Sequence, residues 1–273
     1  MSDTKIAVIT GATDGMGRVA APLLARAGYH VVIQGRSETR GAEVVREIDE
    51  AGGSASFMAC DLASLDDIRR FAGEVGAAHG QIDVLVNNAG IGTGPEGAPR
   101  EESADGFERR FAINYLAPYL LSRLLLDRLR PGARIVNVAS DGQHPIDFSD
   151  LMLERDYSGE AAYCRSKVAL IMATFDLASD LKGAGVTANT MHPGSYMNTT
   201  MVREMKHAVV DSVDEGAGFI LDLAASPERA GVTGRYFNRG VDTRAEEQCY
   251  DPEARRRLRE ATEAILAGQR AHA

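Results

Sequence analysis

The sequence has no tryptophan, three cysteines in 273 residues, and no excess of positive charge. Cys60, Cys164 and Cys249 lie far apart, with neither the spacing of a metal site nor the even number of a disulfide framework, so reduced thiols are expected. The six histidines are scattered, and no pair shares ligand spacing with acids or cysteines; no metal is expected. A formal charge of −9 argues against the basic patch that a nucleic-acid partner requires. No stretch approaches the ~20 apolar residues of a membrane span. The opening "MSDTKIAVIT" has a short apolar core that runs straight into a glycine turn, unlike a signal peptide. These absences lead to the expectation of a soluble cytoplasmic protein with no membrane partner. Linkers, low-complexity runs and repeats are missing too, so residues 1–273 are read as one domain.

What is present is an almost unbroken alternation of strand and helix patterns. Strands are expected at 5–10, 30–35, 54–60, 82–90, 133–140, 185–192 and 234–238, several of them near-continuous apolar runs that suit burial on both faces. Helices are expected at 18–28, 39–51, 64–80, 160–182, near 213–225 and at 251–266. Residues 104–130 read as one long helix or two abutting ones, with Pro118 as a kink and Pro131–Gly132 as the stop. Strands alternating with helices imply right-handed βαβ crossovers, hence an α/β fold: a doubly wound parallel sheet of about seven strands with helices on both faces.

Between the first strand and helix lies "TGATDGMG" (10–17). Its glycines, Gly11, Gly15 and Gly17, permit a tight turn and close approach of a ligand to the backbone, and the helix N-terminus faces that ligand with positive partial charge. After the first strand of a doubly wound sheet, this is where a dinucleotide pyrophosphate sits. Far downstream, in "AAYCRSKVAL" (161–170), Tyr163 and Lys167 are one helical turn apart and point the same way. An ammonium beside a phenol favours the phenolate and is expected to lower a tyrosine pKa that would otherwise stay near ~10. Taken alone, Ser140 at the end of the fifth strand reads best as a turn former. Asn114, inside a helical region where its propensity is low, needs a local reason such as an irregular turn near Pro118.

The glycine spacing T-G-x-x-x-G-x-G, "NNAG" (87–90), Asn114, Ser140, Tyr163-x-x-x-Lys167 and "HPG" (192–194) occur in the order of the short-chain dehydrogenase/reductase family. The chain resembles that family from Lys5 to about Asn238. Its stretch 157–194, with a long Ser-to-Tyr interval, looks most like the retinol-dehydrogenase-like branch. No counterpart of the N-terminal anchor of that branch's membrane-bound members is expected, so retinoid specificity is not carried over. The resemblance implies Asn114, Ser140, Tyr163 and Lys167 as the catalytic set, with Lys167 also holding the nicotinamide ribose. It implies cofactor contacts from Gly11, Thr13, Asp14, Gly15, Met16 and Gly17; from Asp61 and Leu62; from Asn88, Ala89 and Gly90; and from Pro193 and Gly194. Thr199 is the expected contact to the carboxamide, in competition with Asn198 and Thr200. Asn87 is expected to tie the central strands together.

Cofactor choice depends on the end of the second strand. The run "IQGRS" (33–37) has no acid to hold a ribose 2′-hydroxyl, and it places Arg36 and Ser37 where a 2′-phosphate would be. NADP(H) is therefore expected, although Asp14 in the glycine loop argues the other way and NAD(H) stays open. The expected activity is interconversion of a ketone or aldehyde with an alcohol, most simply reduction of a partly apolar carbonyl. The alternatives are an NAD-linked alcohol dehydrogenase and a catalytically silent nucleotide-binding regulatory protein. Residues 194–211 are expected to form a substrate flap whose Tyr and Met residues suit an apolar ligand. His144 reads more simply as an exposed loop residue than as a substrate contact. Apolar surplus on helices 104–130 and 160–182 suggests a homodimer or homotetramer through them. The tail 241–273, with its helix, could instead cover that surface.

Overall fold

The computed structural model describes residues 4–204 and 208–268. Strands β1 (Lys5–Ile9), β2 (Tyr29–Gly35), β3 (Ser54–Ala59), β4 (Ile82–Asn87), β5 (Leu129–Val138), β6 (Thr187–His192) and β7 (Tyr236–Asn238) run parallel. An eighth, β8 (Val241–Thr243), turns back antiparallel to β7. The order is β3-β2-β1-β4-β5-β6-β7-β8, so the chain reverses its direction of travel between β1 and β4. The strand ends diverge at that switch, and a crevice opens at the carboxyl edge.

Alternate residues of each strand feed opposite layers, the period-two geometry of a pleated strand. Ala7, Ile9, Val31, Ile33, Val84 and Val86 pack with helices α1 (Gly15–Arg26), α2 (Glu38–Glu50) and α8 (Val213–Ala225). Ile6, Val8, Val32, Leu85 and Ile135 face α3 (Leu65–His79) and α5 (Ala117–Leu124). Side-chain caps fix where these helices begin: Asp14, Ser37, Ser64 and Ser158 each accept a hydrogen bond from an early backbone N–H of the helix that follows. The Asp14 cap starts α1 at Gly15, three residues before the apolar pattern suggests.

The 104–130 region differs from the long helix expected. Helical structure begins only at α4 (Arg109–Phe111), widens into a π turn at Ala112–Leu116, continues as α5 and ends in a 3-10 turn at Leu126–Arg128. The π turn absorbs Pro118, whose missing N–H then falls at the start of α5. Pro131 and Gly132 are part of the entry to β5, not a helix stop. β8 escapes a reading of the sequence because three exposed residues carry no alternation to detect.

The rest of the chain is α6 (Gly159–Asp180), a short α7 (Thr200–Glu204) in the flap, and the tail helix α9 (Pro252–Leu266). The flap's residues 205–207 lie outside the described ones. α9 lies on α6, where Arg255 and Arg259 pair with Asp176, and Tyr115 of the π turn shares a 2.6 Å hydrogen bond with Thr262. Leu258 and Ile265 join Val168, Ile171, Met172 and Phe175 in a third apolar cluster. Of the two covers the sequence leaves open for that surface, the tail supplies one. No helix among the described residues is long and apolar enough to cross a membrane.

Candidate active site

At the switch point the glycine loop is held by side chains from three strands. Gly11 has φ +64°, and a β-carbon there would lie 2.8 Å from the Ala89 Cα, so loop and "NNAG" turn pack backbone to backbone. Asn88 donates to the carbonyls of Thr10 and Gly11 at 2.8 and 3.2 Å, while Thr10 Oγ1 accepts from the N–H groups of Asn88 and Ala89. Gln34, buried at the end of β2, accepts from the Gly11 N–H and donates to the Cys60 carbonyl. Sequence reasoning missed Thr10 and Gln34 as organisers of the loop. Their signal was polarity inside apolar strands, since a buried polar group must have a partner.

The Met16 and Gly17 N–H groups have no acceptor within the protein among the described residues, and both belong to the first turn of α1. They can take an anion without displacing an internal bond. Thr13 packs its side chain against Gly35. Arg36 is exposed and makes no ion pair or hydrogen bond among the described residues; Ser37 caps α2 by accepting from the Arg40 N–H. Asp14 is committed elsewhere. Although burial works against its charge, hydrogen bonds from Thr200 and the Gly15 N–H, with Arg40 and Arg203 nearby, hold its carboxyl below the usual range. Arg40 carries no such signal in the sequence. Asp61 uses one carboxylate oxygen to accept from the Ala63 N–H, and the Leu62 side chain is buried in the core.

Across the crevice stand the four residues expected to do chemistry. Ser140 is the second residue past β5, and its side chain is hydrogen-bonded with Tyr163. Its Oγ also accepts from the Gly142 N–H at 3.0 Å. Lys167 is buried, donates to the Val138 carbonyl at 2.9 Å, and lies 5.7 Å from the Tyr163 ring centre. Asn114 occupies the π turn, the irregularity its position required. Its Oδ1 accepts from the Ile91 N–H, and its Nδ2 donates to the Ile91 carbonyl and to Ser166 Oγ. Gly90 lies between these groups: a β-carbon there would approach Asn114 Oδ1 to 3.2 Å and Lys167 Nζ to 3.4 Å. Asn87 donates to Asn137 and Ser122, joining β4 to β5 and α5.

One expectation about Tyr163 is corrected. Burial pushes its phenol up to about 12, with the Ser140 hydrogen bond opposing, and burial alone pushes Lys167 down to about 8. The lysine does not lower the tyrosine here, because its ammonium is turned to the Val138 carbonyl and both groups are desolvated. The two shifts oppose their charged forms, so the pair as folded stores a neutral phenol able to donate a proton.

Pro193 and Gly194 lead from β6 into the flap, whose ends are fastened together: Asp211 accepts from the Ser195 N–H and pairs with Arg239 at 2.7 Å. Of the three carboxamide candidates, Thr199 packs its methyl toward Gly15, Thr200 donates to Asp14, and Asn198 accepts from Arg203. Met197 is buried in the core, where it fills a gap. Tyr196, Val209 and Val210 are exposed, as is His144.

The model of the short chain dehydrogenase family matches residues 5–209. The chain belongs to that family. It is 38% identical to polyprenol dehydrogenase of Mus musculus over 276 residues, covering 93% of this chain and 81% of that protein. Retinol dehydrogenase 11 of Mus musculus is 40% identical over 248 residues, covering 86% of this chain and 77% of that one. A short chain dehydrogenase from Burkholderia cenocepacia J2315, solved in complex with NADP, superposes with a TM-score of 0.71 at 28% identity, covering 88% and 98% of the two chains. The protein is thus an NAD(P)-dependent oxidoreductase acting on CH–OH groups, in the retinol-dehydrogenase-like branch of its family.

Proposed function

We propose that this dehydrogenase uses NADP(H) and interconverts an apolar aldehyde or ketone with its alcohol, most simply as a reductase. The observation that carries the reading is the pairing of an unengaged Arg36 at the end of β2 with a group of buried Ser140 and Lys167 and half-buried Tyr163 across the same crevice. The residues present fit a dinucleotide. Free N–H groups at the start of α1 suit a pyrophosphate, and a planar guanidinium with no carboxylate beside it suits a 2′-phosphate. The charges of Arg40 and Arg203 near Asp14 offset the objection that Asp14 raises to a phosphate nearby. When bound, the nicotinamide supplies the hydride chemistry. The chain's own part is to orient the carbonyl oxygen between Ser140 Oγ and the Tyr163 phenol, to deliver the phenolic proton to that oxygen, and to exclude water with the flap.

The exposed Tyr196, Val209 and Val210 at the flap ends favour an apolar substrate, as do relatives whose names are those of dehydrogenases of isoprenoid alcohols. NADPH and NADH binding, followed by nicotinamide fluorescence, tests the cofactor first, in wild type beside Arg36→Ala and Tyr163→Phe. NADPH should bind more tightly than NADH, lose about 10- to 100-fold in affinity in Arg36→Ala, and bind normally to Tyr163→Phe. Equal binding of both nucleotides, unchanged by Arg36→Ala, would favour the NAD-linked alternative. Turnover of long-chain and isoprenoid aldehydes with NADPH then tests the substrate class, and activity confined to small polar carbonyls would refute it.

A further inference from the structure

We propose that Gln143 is a positioning residue for Ser140, and that the tail segment 245–250 holds it in place. The inference rests on the reading that Ser140 acts on the substrate oxygen. Ser140 lies just beyond the last ladder bond of β5, the Ala139 N–H to the Met191 carbonyl, so the sheet does not fix its peptide plane. Two side chains do so instead. The Ser140 carbonyl accepts from Gln143 Nε2 at 2.8 Å and from the Tyr236 hydroxyl at 3.0 Å. With that plane set, the Gly142 N–H meets Ser140 Oγ and leaves the serine O–H to point elsewhere.

Gln143 is itself gripped, since its Oε1 accepts from the Glu246 N–H at 2.6 Å. Three residues further along, the Gln248 amide takes the Ile146 N–H at 2.6 Å and donates to the Ile146 carbonyl at 3.0 Å, in the manner of a neighbouring strand. The tail segment is rigid in turn: Glu246 caps it by accepting from the Gln248 N–H, and Cys249 is fully buried. An amide at position 143 therefore does two opposite things at once, donating to Ser140 and accepting from the tail. Neither a carboxylate nor a hydrocarbon can do both.

The test uses the full chain with NADPH and the best aldehyde found. Gln143→Glu keeps the acceptor for Glu246 and loses the donor to Ser140. It should lower kcat about 10- to 100-fold with NADPH affinity within about twofold of wild type and melting temperature preserved. Combining it with Ser140→Ala should cost nothing beyond Ser140→Ala alone, because Gln143 acts only through that serine. Gln248→Ala should give a smaller kcat loss of the same kind. Wild-type kcat in Gln143→Glu, losses that multiply in the double variant, or a parallel fall of kcat, NADPH affinity and melting temperature would each overturn the proposal. A crystal structure of Gln143→Glu tests the geometry without turnover: a rotated Ser140 peptide supports the assignment, and an unmoved one overturns it. Absence of turnover in wild type would count against the oxidoreductase substrate class proposed above, not against this geometry.

Discussion

The two sides of the crevice are built by different means. The nucleotide side presents main chain to its ligand, a glycine turn and a helix start at the adjacent ends of β1, β2 and β4, with the side chains of Thr10, Gln34 and Asn88 behind it. The chemistry side is assembled from side chains distant in sequence, such as Tyr236 on Ser140 and the Glu246 backbone on Gln143. A site made of main chain depends on conformation and space, so it tolerates variation wherever the glycines stay. A site made of side chains depends on individual groups, so single changes should damage the reaction while leaving binding intact.

Tyr163→Phe should break the comparison most sharply, removing about 10²- to 10⁴-fold in kcat. NADPH affinity should be unchanged; a parallel loss of binding would show that the two sides are not separable. Lys167 supplies a pH test. Its folded pKa of about 8 lies below the ordinary 10.5, so between those values the unfolded chain binds more protons than the native one. Its own contribution to stability should therefore rise with pH across that window, by something on the order of 3 kcal/mol. Buried Cys60, Cys164 and Cys249, whose thiols burial pushes up, lower stability over the same window, so Lys167 is read as a difference. In denaturant melts at pH 8 and 10.5 the stability of wild type relative to Lys167→Met should increase with pH, and an unchanged difference would contradict it.

Asn87→Ala removes a buried donor shared by Asn137 and Ser122, which link the two halves. It should lower stability by about 1–3 kcal/mol without changing the ratio of NADPH to NADH affinity. Thr262→Val, at the far end of the tail, should cost only about 1 kcal/mol by removing the bond to Tyr115, with kcat unaffected. Because α9 occupies the outer face of α6, a symmetric dimer through that face would have to displace the tail. Sedimentation should therefore give the same particle mass at low and high salt if the tail stays seated, and a salt-dependent mass would point to its release.

What could be read in advance follows the same division. The strand–helix alternation and the glycine turn are short-range patterns, and Ser64 and Asp251 open their helices at the starts expected for 64–80 and 251–266. The Tyr163–Lys167 spacing was legible because one helical turn fixes it. Gln34, Gln143, Tyr236 and Arg239 were not legible, since each acquires its meaning from a partner that only the folded topology supplies. The π turn at Asn114 lay between: low helix propensity announced an irregularity but not its form. The pKa direction at Tyr163 depended on burial and on where Lys167 points, neither of which sequence spacing contains.

The clasp of Gln248 on Ile146 also has a bearing on synthesis. The ribosome makes the chain from its N-terminus, so the glycine turn and the Asn88 side chain that holds it are made first. The loop after Ser140 must wait for a segment about a hundred residues further on. Until that segment emerges, Gln143 and Ile146 lack the partners that hold the loop, so the serine's surroundings are among the last parts of the site to be set.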